Sequence, residues 1–512
     1  DISTSSSRFV VAVVDSGIDY THPDIAENMC VKEAEQGYLV VTTSPHNEQI
    51  DFGIPARGLH GEAYRGHIFW DELYVMPFFC LHFPAVARSV LMYRYRRLDA
   101  ARDYAREHGY KGAMFPWQSG SDGSEETQVV HLNPVSGEWG DDYSSLQRHI
   151  SIAVAYNIWT YFNITRDNKF IENHGAEMFL EICRFWASKT AYNEKTGRYE
   201  IHKVMGPDEF HEKIPGAEEG GLKDNAYTNI MVVWLFYRAF DILESMEKSR
   251  RDAVLAKTGL EEDEINKWHD EVLKMNLVIS DEGIIAQFDG YFELEELDWD
   301  AYREKYGNIH RLDRLLKAEG KSPDSYKLSK QPDTLMCFYN IGKDTVSEII
   351  DKLGYEVPDD YFKKNYDYYL RRCTHGSTLS MVVHASLAAQ ISGDSSGWEM
   401  YSEALKSDYT DIQGGTTAEG IHTGVMGGTV VMAMTIYGGL SVRGGIIHLD
   451  PALPGHWRRL SYGFEHRGKS YRMEVRPSDI KVICIDSERE EKIIVKGDEY
   501  RLEPGREKVI SL

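Results

Sequence analysis

The chain has 512 residues, past the roughly 250–300 at which a single hydrophobic core stops growing, so more than one domain is expected. Its net charge of −24 excludes a protein built to bind nucleic-acid phosphates, which needs a basic surface, while 42% hydrophobic and 27% charged residues are those of a soluble globular protein. No apolar run approaches the ~18–20 residues that cross a bilayer, the opening DISTSSSRF has no basic segment leading into an apolar core, and cysteines 30, 80, 183, 337, 373 and 484 form no Cys-x-x-Cys pair, so a cytoplasmic protein with buried, reduced thiols and no metal is expected.

In chain order, the first feature is VVAVVDSGIDYTHPDI (10–25), a strand-like run that delivers Asp15 into a Gly turn. It is similar to the aspartate motif of subtilisin-like proteases. A triad also needs a His base and a Ser nucleophile, and neither stands in a matching context elsewhere. The stretch therefore reads as a β-prone segment without protease function.

From about residue 80 to 438 the apolar period is that of helices. Long amphipathic segments are expected at 82–109, 144–165, 170–190 and 225–248, followed by helices near 261–275, 343–353, 377–391, 395–408 and 421–438. After YGGL (437–440) the pattern changes to short alternating runs separated by turn residues, the mark of a small antiparallel β domain. Helices pairing through short loops over this length fit an α/α barrel, a bundle or a solenoid alike.

The loops carry the chemistry. In HKVMGPDEFHE (202–212), Gly-Pro breaks regular structure just before Asp208 and Glu209. A carboxyl set beside aromatic residues in such a loop suits a general acid, because desolvation favours its neutral form. The alternative is that Asp208 caps a helix starting at Glu209.

GPDEFHE, with GLHGEAYRGHIFWDE (58–72), GYKGAMFPWQSGSDGSEET (109–127), DNAYTN (224–229), KQPDTL (330–335), THGSTLS (374–380) and GTTAEGIHTGVMGGT (415–429), resembles glycoside hydrolase family 65. The resemblance implies inverting phosphorylases of α-glucosidic disaccharides such as maltose, trehalose or kojibiose, or related hydrolases. It implies an all-α main domain, a six-hairpin (α/α)6 barrel, followed by a small antiparallel β-sandwich. The expected division is an atypical N-terminal segment (1–41) in place of the family's β-sandwich, the barrel (42–437) and the β domain (438–512).

By the same resemblance, Glu209 is the general acid, and Trp70, Asp71, Lys330 and Gln331 hold the glucosyl unit. An aromatic face suits the apolar side of a sugar ring, and charged or amide groups suit its hydroxyls. Gly376, Ser377 and Thr378, with His422, are expected at inorganic phosphate, which serves as co-substrate with no further cofactor. Hydroxyls opening a helix suit an anion, although they would equally form an ordinary N-cap. A hydrolase would instead need a base about 6.5–9.5 Å from the acid, for which Glu419 is the candidate. His67 and His375 are further candidates to shape the site. The expected partners are an α-linked glucose disaccharide and phosphate, with a homodimer as the family's common state.

Overall fold

The computed structural model describes residues 51, 53–57, 63–391, 395–407 and 420–512. Asp15 with its protease-like stretch, Cys30 and Glu419 lie outside them.

The helices are α1 (Glu72–His82), α2 (Pro84–Arg96), α3 (Leu98–Glu107), α4 (Ile150–Thr165), α5 (Ala176–Lys189), α6 (Ala226–Ser245), α7 (Lys248–Thr258), α8 (Glu262–Lys274), α9 (Trp299–Tyr306), α10 (Leu312–Ala318), α11 (Asp333–Lys352), α12 (Tyr361–Leu370), α13 (Thr378–Ile391), α14 (Ser395–Lys406) and α15 (Thr423–Met432). Six form a closed ring: α1 packs on α4, α4 on α6, α6 on α11, α11 on α13, α13 on α15, and α15 back on α1. Outside the ring, α2, α5, α8, α12 and α14 each lie against two of these helices or against one and an outer neighbour. This is the double-layered α/α barrel.

Composition decides which layer a helix joins. Two ring helices are enclosed on every side over long stretches: α6 buries each residue from Ala226 to Phe236 and α15 all of Thr423–Met432. Such a helix has no face for water and must be enclosed. Outer α8 is amphipathic, burying Trp268, Glu271 and Val272 and leaving its acidic first turn in solvent. Close approach of α15 to α1 depends on Gly427, where a Cβ would lie 3.1 Å from the Val75 Cα.

Two expectations shift in detail. The segment 82–109 is divided at Phe83 and Arg97, because Pro84 opens α2 and restricts the residue before it. The helix expected near 343–353 starts at Asp333; Gly342, at φ 79°, interrupts it and masks its period.

Beyond the barrel are two four-stranded sheets, ordered β13-β10-β9-β8 and β12-β11-β7-β6. Their strands are β6 (Leu440–Arg443), β7 (Ile446–Leu449), β8 (Leu460–His466), β9 (Lys469–Val475), β10 (Asp479–Cys484), β11 (Glu491–Val495), β12 (Asp498–Leu502) and β13 (Lys508–Ser511). Neighbours are antiparallel except β7 and β11, which run parallel with Ile447 opposite Ile493. Alternate residues such as Tyr471, Met473 and Val475 turn inward, and β8 packs on α1 and α4.

Short sheets interrupt the barrel between its helices. β1 (Val130–Leu132) pairs with β2 (Trp139–Asp141), and β3 (Thr190–Asn193), β4 (Arg198–Val204) and β5 (Leu222–Lys223) form another sheet. A satellite core of Phe210, Leu297, Tyr302, Ile309, Leu312, Leu316 and Leu328 lies under α10, apart from the main one.

Candidate active site

A cleft of about 560 Å³ opens where ring helices begin. Trp70 and Asp71 precede α1, Lys330 and Gln331 precede α11, Ser377 precedes α13 and His422 precedes α15, and all six line it with Glu209. Unpaired N–H groups and the helix dipole make such starts favourable to negative charge.

The loop bearing Glu209 is held from both sides. Asp208 is 1% exposed and its carboxylate accepts from the Lys330 N–H (2.9 Å), the Phe210 N–H (3.2 Å), His211 Nδ1 (2.7 Å) and Gln287 Nε2 (3.1 Å). No helix follows it, so it does not act as an N-cap; it ties its loop to the KQPD turn. Phe210 plugs into the satellite core. Between these anchors Glu209 stands free to meet Lys330, whose Nζ donates to its Oε2 at 2.8 Å. Burial alone would lower the Lys330 pKa, but Glu209 and Tyr64 outweigh it and hold the ammonium above the usual lysine value.

Beneath lies a buried charge network. His211 Nε2 lies 3.0 Å from the Tyr326 carbonyl oxygen and Nδ1 2.7 Å from Asp208 Oδ2, so both ring nitrogens face acceptors, an arrangement that favours the imidazolium. Burial opposes that charge, yet Asp208 keeps the His211 pKa raised. Asp333 accepts from the Asp208 N–H (2.6 Å) and Asn225 Nδ2 (2.5 Å). Burial and then the Asp208 charge push its carboxyl above the usual range.

On the opposite side, Asp71, His422 and Thr378 form a chain. His422 Nε2 donates to Asp71 Oδ1 at 2.6 Å, and its Nδ1 lies 2.7 Å from the Thr378 hydroxyl. Asp71 can only accept, which fixes the Nε2 proton and leaves Nδ1 to take the Thr378 proton. Thr378 is 1% exposed and does not line the cleft, whereas Ser377 does. The Gly376 N–H donates to the Thr374 hydroxyl, and a Cβ there would sit 2.5 Å from the His310 carbonyl oxygen. Gln331 Nε2 donates to the Pro207 carbonyl, a further tie between the two loops.

Trp70 is 2% exposed, edge-on to His149 (4.9 Å) and Tyr227 (6.4 Å) and 6.3 Å from Trp117, making an aromatic floor. Burial drives the His149 pKa down to about 3, so that ring is neutral. His67 lies 3.1 Å from Gln118 Oε1. His375 sits behind the Ser377 turn at φ 52°. Its ligand atom, with those of Cys373 and His384, lies within 4.8 Å of the others. The Ser380 hydroxyl occupies their midst, 3.4 Å from Cys373 Sγ, 3.0 Å from His375 Nδ1 and 3.2 Å from His384 Nδ1. A metal there would have to displace it.

The outer wall of the cleft was not singled out from sequence. It consists of the β1–β2 hairpin, with His131 and Trp139, and of Arg311, Arg314 and Lys317 on and beside α10. The three-residue spacing of the cations is the available signal.

Residues 38–431 match the "Glycosyl hydrolase family 65 central catalytic domain" and residues 440–502 the "Glycosyl hydrolase family 65, C-terminal domain". An "Uncharacterized glycosyl hydrolase Rv2006" of Mycobacterium tuberculosis is 47% identical over 430 residues, 84% of this chain and 32% of that protein. "Trehalose 6-phosphate phosphorylase" of Lactococcus lactis is 45% identical over 430 residues, 82% of this chain and 53% of that protein. A solved "Putative kojibiose phosphorylase from human microbiome" superposes with TM-score 0.76 at 25% identity, over 93% of this chain and 64% of the other. The chain thus spans about half or less of the length of these two curated relatives.

Proposed function

The chain belongs to glycosyl hydrolase family 65, and from that premise we propose that it carries out inverting phosphorolysis of an α-glucoside. Glu209 donates its proton to the glycosidic oxygen as the bond from that oxygen to the anomeric carbon breaks. Phosphate attacks the same carbon from the opposite face, and the products are β-glucose 1-phosphate and the free acceptor. The observation that carries this reading is one cleft in which a held, half-buried carboxyl, Glu209, meets the starts of α13 and α15. Those starts offer the Ser377 hydroxyl and two helix dipoles to an anion.

Lys330 must leave Glu209 for the proton to move, and sugar hydroxyls are suitable new partners for its ammonium. The Asp71–His422–Thr378 chain joins the groups proposed for the sugar to those proposed for phosphate, so that each fixes the other's position. Trp70 and the aromatic floor give the glucosyl ring an apolar seat and keep water from the anomeric carbon.

The test incubates the protein with α-linked glucose disaccharides, free and phosphorylated, with and without phosphate, and follows products by NMR. Turnover that requires phosphate and yields the β-anomer is expected. Glucose release at the same rate without phosphate would replace this reading by a hydrolase.

A further inference from the structure

The seam between barrel and β domain gathers two arginines that no acid answers. α4 starts beside His149 in the floor of the cleft and ends about 24 Å further on, at Arg166, which caps it in the left-handed conformation (φ 57°) and donates its N–H to the Phe162 carbonyl at 2.9 Å. Arg467 stands at φ 52° in the two-residue loop joining β8 to β9, and its N–H donates to the Ile164 carbonyl at 3.2 Å. Both are positions that Gly or Asn fills at least cost, so each arginine is held there against backbone strain. The third side of the seam is the β6–β7 turn at Gly444 and Gly445, tied to α4 by Asn163 Nδ2, which donates to the Val442 carbonyl at 3.0 Å. A Cβ at Gly445 would collide with Arg467 Nη2 and lie 3.0 Å from Arg166 Nη2, so both guanidinium groups converge on the space this glycine leaves.

The surroundings do not neutralise them. Neither arginine forms an ion pair among the described residues. Arg166 Nη2 donates to Asn163 Oδ1 at 3.3 Å and its guanidinium lies 5.2 Å from the centre of the Phe162 ring, while its buried Nε has no partner. Asp167, the next residue, faces elsewhere: it accepts from the Tyr161 hydroxyl (2.9 Å), the Phe170 N–H (3.0 Å) and Arg88 (3.4 Å). His466, 4% exposed, has its Nε2 3.0 Å from the Gly445 carbonyl oxygen; burial, and after it the two arginines, hold its pKa below the ordinary value. Burial and the Arg467 charge lower even the Arg166 pKa, the sign of like charges in repulsion. Arg467 is exposed, so a solute anion reaches the pair from water.

We propose that this seam is an anion site, in which a tetrahedral dianion of the phosphate class, inorganic phosphate or a phosphate monoester, is held by the Arg166 and Arg467 guanidinium groups and fastens the β domain to the end of α4. Two guanidinium forks match a dianion in charge and offer the paired donors its oxygens accept. A carboxylate would leave one of the two charges unanswered. The site is separate from the groups proposed for catalytic phosphate at Ser377, and it does not rest on the phosphorolysis reading. Because one arginine comes from the barrel and the other from the β domain, the pair exists only in the folded chain, and the anion stabilises that state by mass action.

The experiment titrates the full chain calorimetrically with inorganic phosphate and, separately, with glycerol 3-phosphate, at an ionic strength held constant with chloride, and records melting temperatures in the same buffers. The wild type is expected to bind one phosphate more per chain than the double variant Arg166→Gln/Arg467→Gln. At about ten times the Kd of that extra site it should gain about 2 °C more in melting temperature than the variant does. Binding of glycerol 3-phosphate that the double variant loses makes monoesters ligands as well; phosphate binding without it assigns the site to the free ion. Arg467→Gly relieves both the left-handed backbone and the repulsion, so it should melt at or above the wild type without the anion and below it in phosphate. Equal stoichiometry and equal gain in wild type and double variant, or an Arg467→Gly chain that melts lower by the same amount in both buffers, overturns the inference. None of these readouts requires turnover, so phosphorolysis stands or falls separately.

Discussion

The ring end of the cleft and its outer wall are made differently. At the ring end Trp70, Asp71, Thr378 and His422 are no more than 6% exposed, and each is fixed by partners distant in sequence. At the outer wall Val130, Leu132 and Trp139 are 46%, 47% and 69% exposed and stand on a hairpin inserted between α3 and α4. A group locked by helices of the ring cannot shift without disturbing the barrel, whereas a residue on the hairpin can change at little cost to folding. Chemistry that needs fixed geometry is suited to the first kind of site, and adaptable recognition to the second.

The sharpest way to break this division is at Glu209. Glu209→Gln keeps shape and most contacts but removes the transferable proton, and kcat should fall by about 10²–10⁴ with the melting temperature nearly unchanged. Activity within a few-fold of wild type would place the acid elsewhere.

Asp208, one residue earlier, should fail in the opposite manner. Asp208→Ala leaves the His211 imidazolium without its counter-ion and frees the loop from Lys330. Removing one partner of a buried pair costs about 3–5 kcal/mol, so a marked fall in melting temperature should accompany any loss of activity. The pH dependence follows from the signs. The folded His211 pKa is raised, so its contribution is whole below the ordinary value near 6.5 and is lost as pH rises through the folded value. The Asp333 carboxyl is also raised, which again costs stability as pH rises towards its folded value. Melting temperature should therefore decline from pH 6 to pH 9, and His211→Gln should flatten that decline. An unchanged slope in the variant would remove His211 as its source.

Asp71 tests whether the ring end works as one unit. Asp71→Asn lets the His422 proton move to Nδ1 and so reverses the hydrogen bond to Thr378. A misplaced group of this kind costs about a hundredfold, and the loss should appear in the KM for phosphate as well as for sugar. A change confined to the sugar would reduce Asp71 to a hydroxyl partner.

The same division explains what was legible in the sequence. Ring helices announce themselves by period and length, and their starts carry the motifs, so the barrel, the β domain and the gathering of Glu209, Trp70, Asp71, Lys330, Gln331, Ser377 and His422 in one cleft follow from sequence and family resemblance together. Hydrogen bonds across the ring do not. Nothing local indicates that His422 reaches back 351 positions to Asp71, or that Asp208 is absorbed into a buried network while Glu209 is left facing the cleft. The three-residue strands β1 and β2 are too short to show a period, and α10, with charges on one side, reads as an ordinary surface helix.

Trp139 should give the smallest effect and the cleanest one. Its ring is 69% exposed at the mouth of the cleft, where a large apolar face in water has no packing reason to be retained but can stack on an acceptor sugar. Trp139→Ala should raise the KM for the acceptor about three- to tenfold, the scale of an aromatic contact of about 0.5–1.5 kcal/mol. Because the residue is packed against so little, the melting temperature should stay within about 1 °C, as for surface substitutions within about 0.5 kcal/mol. Slow hydrolysis of β-glucose 1-phosphate, which needs no acceptor, should keep its rate. If that hydrolysis slows as much as synthesis does, Trp139 acts on the glucosyl unit as well, and the wall and the ring end are one site rather than two.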